Sequence, residues 1–261
     1  MNDLFIEKKK HHTSLTIVFI HGIASSSRVF EAPFLSKDLP YNKICFDLPG
    51  HGKSAKTNKA EDYTIAQYKR ALMSVLPQDG SILLVGNSLG GHLALEVAAE
   101  IKQLAGLVIF GTPPLKKPLN AEEAFLPNPV LQTYFTEQLT ENQVDEAIKE
   151  AAFQQMAKPI LKEDFIHCDP KVRSALAAEF AAEMLSDEAE TFKQLKAPRY
   201  ILQGKHDPSV NPAYVEQLCK ESKGKAELIW LEECGHYASL EIPSVFTSTL
   251  SNICKKLTGI S

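Results

Sequence analysis

No two cysteines in this chain are spaced C-x-x-C, and the five present (Cys45, Cys168, Cys219, Cys234 and Cys254) are scattered and odd in number. A disulfide framework or a zinc ribbon is therefore not expected, and the usage fits a reducing compartment. The sequence has no H-E-x-x-H and no other histidine spacing suited to a metal, so neither a metal nor a cofactor is expected. No apolar run reaches membrane-spanning length, and no internal repeat or low-complexity tract stands out. A net charge of only −4 over 261 residues provides no basic face for nucleic acid. What is present is an ordinary globular composition, 44% hydrophobic and 23% charged, on a chain able to bury one large core. The expected location is the cytoplasm, the expected partner is a small-molecule substrate, and oligomeric state is not legible.

Lys8-Lys9-Lys10 ahead of Leu15-Thr16-Ile17-Val18-Phe19-Ile20 has the outline of a secretory leader. Asp3 and Glu7 interrupt the basic region, and cleavage would remove an apolar strand together with the His21-Gly22 turn that follows it. The stretch is read as a buried strand.

Apolar runs bounded by turn residues alternate with helical stretches, the pattern of parallel β-α-β construction. Strands are expected at 15–20, 43–47, 82–85, 107–110, 199–203 and 225–231, with residues 4–9 forming an edge hairpin with the first of these. Helices are expected at 64–76, 89–100, 212–222 and 243–257, where Pro212 and Pro243 suit a first turn. Segment 112–198 breaks the rhythm: it is rich in proline, lacks a convincing strand, and carries helix-like stretches at 130–138, 143–156 and 172–185. So long a structureless loop is foreign to a compact domain. The segment is read as a helical cap inserted into an α/β core of residues 1–111 and 199–261.

The most informative stretch is Gly86-Asn87-Ser88-Leu89-Gly90, between the apolar run Ser81-Ile82-Leu83-Leu84-Val85 and a helix-like sequence. Small residues two before and two after the serine relieve crowding in a sharp strand-to-helix turn that exposes the hydroxyl. A nucleophilic serine needs a base, and the base needs an orienting acid. Asp207 follows the run Tyr200-Ile201-Leu202-Gln203, and His236 follows Leu228-Ile229-Trp230-Leu231, in the chain order Ser, Asp, His. Both lie past the carboxyl ends of strands, where catalytic groups of parallel sheets gather. Ser88, Asp207 and His236 are thus the expected catalytic residues. Glu232 and Glu233 are closer to His236 in sequence but precede the turn and are read as solvated.

An oxyanion needs two donors. The N–H of Leu89 is one, and Gly22 lets the chain turn so that the N–H of Ile23 supplies the other. His21 is read as a structural hydrogen-bonding residue and His92 as helix surface, with a supporting role near Ser88 as its alternative. Ile23, Pro113, Phe125, Leu126 and Tyr237 are expected to line the substrate pocket. Gly50-His51-Gly52-Lys53-Ser54 imitates a phosphate loop, but Asp47 stands where that pattern needs glycine. His167-Cys168-Asp169, in the expected cap, is not read as a thiol site.

On His21-Gly22, Asp47-Leu48-Pro49-Gly50-His51-Gly52-Lys53-Ser54, the turn at Ser88, Asp207 and His236, nearly the whole chain resembles an α/β-hydrolase-fold serine hydrolase with a helical cap. The resemblance implies a mostly parallel central sheet flanked by helices. Asn87 to His92, with Gly106 to Pro114, is similar to the metal-independent N-acyl-homoserine lactonases of this fold. Asn87 departs from the bulkier residue of those lactonases and is similar to the residue found in carbon–carbon bond hydrolases. The implied activity is hydrolysis of a small ester or lactone through an acyl-serine. Carbon–carbon bond hydrolysis on the same three residues, and a ligand sensor that keeps the fold without turnover, remain open alternatives.

Overall fold

Seven strands carry the architecture: β1 (Ile6–Lys9), β2 (Leu15–Ile20), β3 (Asn42–Phe46), β4 (Ser81–Asn87), β5 (Leu104–Phe110), β6 (Arg199–Gly204) and β7 (Ala226–Leu231). The structure, a computed structural model, describes residues 3–222, 224 and 226–259. The expected strand start at Lys225 lies outside these. The sheet order is β1-β3-β2-β4-β5-β6-β7, with β1 antiparallel to β3 and every other pair parallel. Every residue of β2 and β6 is buried, as continuous apolar strands covered on both faces require.

The residues preceding β2 do not form a hairpin with it. Strand β1 instead pairs with β3, Ile6 opposite Phe46 and Lys9 opposite Lys43, because both sides of β2 are occupied by β3 and β4. Its Glu7 and Lys8 are exposed, so the sheet edge is charged and discourages further strand addition.

Helix Ile65–Val75 is capped by Thr64, whose hydroxyl accepts from Gln67 N, and buries Ile65, Tyr68, Leu72 and Val75 along one stripe. Helices Leu89–Ala98, Glu188–Gln194 and Pro212–Glu221 continue this layer, while Glu31–Leu35, Ala238–Glu241 and Pro243–Thr258 pack together as another. Pro212 and Pro243 occupy first turns, and Gly259 ends the last helix at φ 68°.

Between β5 and β6 the chain is helical. Stretch 130–138 forms a 3-10 helix, Pro129–Phe135, opened by the Asn128 side chain accepting from Val130 N. Stretch 143–156 is shortened to Glu141–Ala151, where Thr140 and Gln143 make a capping box. Stretch 172–185 becomes Pro170–Ala181, capped by Asp169. Helix Lys158–His167, which carries Pro159 in its first turn and interleaves charged with apolar residues, was not anticipated; nor was Glu188–Gln194, which packs beside the sheet-flanking helices. Among the described residues no helix is long and apolar enough to cross a membrane.

Candidate active site

Strand β4 ends at Asn87 and the next helix begins at Leu89, leaving Ser88 alone at the break with φ 51° and ψ −121°. Positive φ is strained for a residue with a Cβ, so the turn has to be held from outside. Ser88 N donates to Phe110 O at 3.0 Å, and Thr112 Oγ1 donates to Ser88 O at 2.9 Å. A Cβ on Gly90 would sit 2.1 Å from Ile20 O, and one on Gly86 would sit 2.4 Å from Gly90 O. Both contacts are with backbone, which cannot retreat, so the glycines are required by close approach.

The N–H groups of Gly91 and His92 turn back to Ser88 O, at 2.8 and 3.2 Å. Among the described residues no protein acceptor takes the N–H of Leu89 or of Ile23. The Ile23 loop is anchored through buried His21. Its Nε2 accepts from Leu48 N at 2.9 Å, so Nδ1 carries the hydrogen and donates to Gly22 O at 2.8 Å. Burial holds the His21 pKa down despite neighbouring Asp47, in keeping with this neutral, structural role. Asp47 accepts from Ser27 N at 2.7 Å and Lys53 N at 2.8 Å, so the phosphate-loop look-alike is a turn folded around a carboxylate.

Asp207 and His236 come together past the ends of β6 and β7. His236 Nδ1 lies 3.0 Å from Asp207 Oδ2 and 3.2 Å from Oδ1. Burial pushes the Asp207 pKa upward, but His236 and the hydrogen bonds from Ser209 outweigh it and hold the carboxyl below its usual value. For His236 burial acts downward, and Asp207 more than reverses it, leaving the imidazole above the ordinary histidine value. Ser209 Oγ sits 2.7 Å from Asp207 Oδ1 and 3.0 Å from His236 Nδ1, a bridge absent from the sequence reading. Glu232 is paired with Lys205 at 2.7 Å and is exposed, as is Glu233.

The backbone around His236 is held by three further groups. Buried Glu241 accepts from Gly235 N at 3.2 Å, Tyr237 N at 2.9 Å and Gln154 N at 2.9 Å. His236 N donates to Ala151 O at 3.4 Å, and Asn87 Nδ2 donates to His236 O at 3.0 Å. Asn87 therefore ties the serine turn to the histidine loop. Nothing in the local sequence marks Glu241 for its task, since the loop it organises is defined only in three dimensions.

Ser88 and His236 open on a cavity of about 410 Å³ between the sheet's loops and the helices that join β5 to β6. Among the described residues no hydrogen bond joins the two side chains. Of the residues read as pocket lining, Ile23, Phe125 and Tyr237 face the cavity, whereas Pro113 and Leu126 do not; Leu89 lies in its wall as well. Leu126 instead donates its N–H to Ser209 O at 2.8 Å beside the single bridge pairing Phe125 with Val210, and Pro113 is buried in the turn after β5. His92 is not helix surface: it is 5% exposed, lines the cavity, and sets Nδ1 2.8 Å from Glu188 Oε2. Helix Glu188–Gln194 covers that face of its helix. His167 is exposed and turned to Glu163 O, and burial drives the Cys168 thiol up to about 12, so the two form no thiol site.

A sequence model of the alpha/beta hydrolase family matches residues 17–247. The chain belongs to that family. This alpha/beta hydrolase is similar to the pimeloyl-[acyl-carrier protein] methyl ester esterase of Nitrosomonas europaea, 24% identical over 247 residues that cover 89% of this chain and 92% of the relative. Its fold is similar to that of a mutant of the N-acyl homoserine lactonase AidH complexed with N-hexanoyl homoserine lactone. The TM-score is 0.86 at 21% identity, covering 99% of this chain and 96% of the other. A thermophilic esterase from Thermogutta terrifontis has a TM-score of 0.78 at 19% identity, covering 98% and 94%.

Proposed function

We propose that this alpha/beta hydrolase cleaves a small ester or lactone through an acyl-serine intermediate, without a cofactor. Supporting it above all is the His236 imidazole, held on Nδ1 by Asp207 at 3.0 Å at the edge of the cavity that Ser88 enters. Ser88 Oγ attacks the carbonyl carbon while His236 Nε2 takes its proton, a contact assigned here to the substrate complex. The N–H groups of Leu89 and Ile23 stabilise the oxyanion, and the proton passes to the leaving oxygen as the tetrahedral species collapses. Water, deprotonated by the same imidazole, then releases the acid and regenerates Ser88. Asp207 orients the ring and stabilises its charged form.

Segment 112–198 is assigned to a cap over the cavity, with Glu188–Gln194 serving as the crossover into β6. The cavity's apolar walls, among them Leu119, Phe125, Val130, Leu176 and Phe180, favour an uncharged acyl chain over a polymer. Similarity to an N-acyl homoserine lactonase and to carboxylic esterases agrees with that class. The amide nitrogen of Asn87 is engaged by Phe110 O and His236 O, which gives this side chain a structural task in joining the serine turn to the histidine loop. Free, mostly buried thiols accord with the cytoplasmic location included in this reading.

A fluorophosphonate tests the nucleophile directly. Intact-mass analysis should show one stoichiometric adduct, mapped by peptide sequencing to Ser88; an adduct elsewhere, or none, overturns the assignment. Because a base must be neutral, kcat/KM should fall on the acid side with an inflection above the ordinary histidine value of about 6.5. An acid limb at or below that value would contradict the raised pKa of His236.

A further inference from the structure

The two carboxylate oxygens of Asp207 have different tasks. Oδ1 accepts from Ser209 N at 2.8 Å, Val210 N at 3.2 Å and Ser209 Oγ at 2.7 Å, while Oδ2 faces His236 Nδ1 at 3.0 Å. An oxygen that already receives two backbone N–H groups carries no hydrogen of its own, so the Ser209 hydroxyl donates to it. A hydroxyl has one hydrogen to give. Towards His236 Nδ1, 3.0 Å away, Ser209 Oγ therefore offers only lone pairs. Among the described residues, each hydrogen-bond partner of Nδ1 is thus an acceptor: Oδ2, Oγ, and Oδ1 at 3.2 Å. The ring hydrogen is held on Nδ1, and the lone pair needed for proton abstraction is left on Nε2.

The backbone beneath this hydroxyl is fixed from outside its own loop. Ser209 is buried, and its carbonyl receives Leu126 N at 2.8 Å. On either side of it, Asn128 Nδ2 donates to Pro208 O at 3.2 Å, Asn211 N donates to Ala124 O at 3.0 Å, and Phe125 bridges to Val210. Loop 207–211 is tied in this way to residues 124–128, which belong to the stretch between β5 and β6. Those contacts set the point from which Oγ projects onto Asp207 and His236.

Resting on the proposed reading of Ser88 as nucleophile and His236 as base, we infer that Ser209 is a positioning residue: its hydroxyl is a second acceptor that, beside Asp207, holds His236 in the Nδ1–H tautomer and in place. A ring held by the carboxylate alone can pivot about that contact, whereas a second acceptor at an equal distance restricts the swing of Nε2. The contact also gains strength during the reaction. Hydrogen bonds from a charged donor are stronger than neutral ones, so Oγ holds the imidazolium more tightly than the imidazole. The difference between a neutral and a charge-assisted hydrogen bond corresponds to about a tenfold change in rate. Ser209 acts through the ring and takes no part in bond breaking.

Ser209→Thr and Ser209→Val share one shape and differ in the hydroxyl, so their comparison isolates it. Ser209→Ala removes the hydroxyl without added bulk and serves in place of the valine should that variant not fold. With p-nitrophenyl butyrate, Ser209→Val and Ser209→Ala should lose about tenfold in kcat with KM within about twofold, and Ser209→Thr should recover most of the loss. The rate at which a fluorophosphonate labels Ser88, read by intact mass, should fall by the same factor in the first two variants. The ¹H resonance of the hydrogen on His236 Nδ1 should move in Ser209→Val and Ser209→Ala and hold its place in Ser209→Thr, which a merely structural role would not produce. A threonine no better than the valine, kcat within about twofold in every variant, or an unmoved resonance would each overturn the proposal. Failure of the hydrolase reading gives a different result: the unaltered protein would take no fluorophosphonate at Ser88, and the role of Ser209 would fall with it.

Discussion

Ser88→Ala should reduce kcat for ester or lactone hydrolysis by a factor of about 10⁴ to 10⁶, with Tm almost unchanged. The activity loss follows from the proposed covalent route: without Oγ no acyl-enzyme forms, and oxyanion donors and binding alone leave a small residual rate. The stability expectation follows from geometry. Ser88 adopts φ 51°, which is no worse for alanine than for serine. Its recorded hydrogen bonds use backbone atoms, to Phe110 O and from Thr112 Oγ1, and those survive the substitution. Steady-state kinetics beside a thermal melt checks both halves. Turnover within tenfold of the unaltered protein would remove Ser88 from the mechanism.

Gly90→Ala should act oppositely, through folding rather than chemistry. The added methyl would fall 2.1 Å from Ile20 O, 2.5 Å from Ile20 C and 2.7 Å from His21 O, all backbone of the end of β2 and its turn. Relief would require separating the serine turn from the Ile23 loop. The expected cost is about 3 kcal/mol or more, which lowers Tm by about 6–12 °C at this chain length. Gly224→Ala is the contrasting variant: its φ of 83° is also unfavourable to a side chain, but nothing lies within 4 Å of the new methyl. That change should cost only about 1–2 kcal/mol. Similar Tm losses for the two variants would show that close approach at Gly90 is not what requires the glycine.

The legible parts of the fold are those with local causes. The parallel strands β2 and β4 to β6 read as apolar runs because both their faces are covered, and helix starts at Pro212 and Pro243 follow from proline's fixed φ. Strand β1 is misplaced by the same reasoning, since a short charged strand contains nothing that selects β3 over β2. The candidate site divides along similar lines. A glycine-flanked serine past an apolar run is local information, and so is an aspartate or histidine just past a strand. By contrast, the contacts of Glu241 with Gly235, Tyr237 and Gln154, the Ser209 bridge and the His92–Glu188 pair depend on which surfaces the helices between β5 and β6 cover. Pro113 and Leu126 miss the cavity because a residue's place in a coil does not say which way its side chain faces.

His236 owes its backbone position both to the end of β4 and to a helix between β5 and β6, with its N–H on Ala151 O and its carbonyl on Asn87. Glu241 joins the same seam by receiving Gln154 N, and Phe153 stacks on the His206 ring at 3.9 Å beside Asp207. The helical stretch between β5 and β6 is therefore not interchangeable. Grafting in the corresponding stretch of another hydrolase would have to supply an acceptor for the His236 amide and a donor for Glu241. Without them, the transplant would alter the imidazole's footing along with the shape of the cavity. Single replacements on the cavity-facing sides of Pro170–Ala181 and Pro129–Phe135 would reshape the cavity while leaving that footing in place.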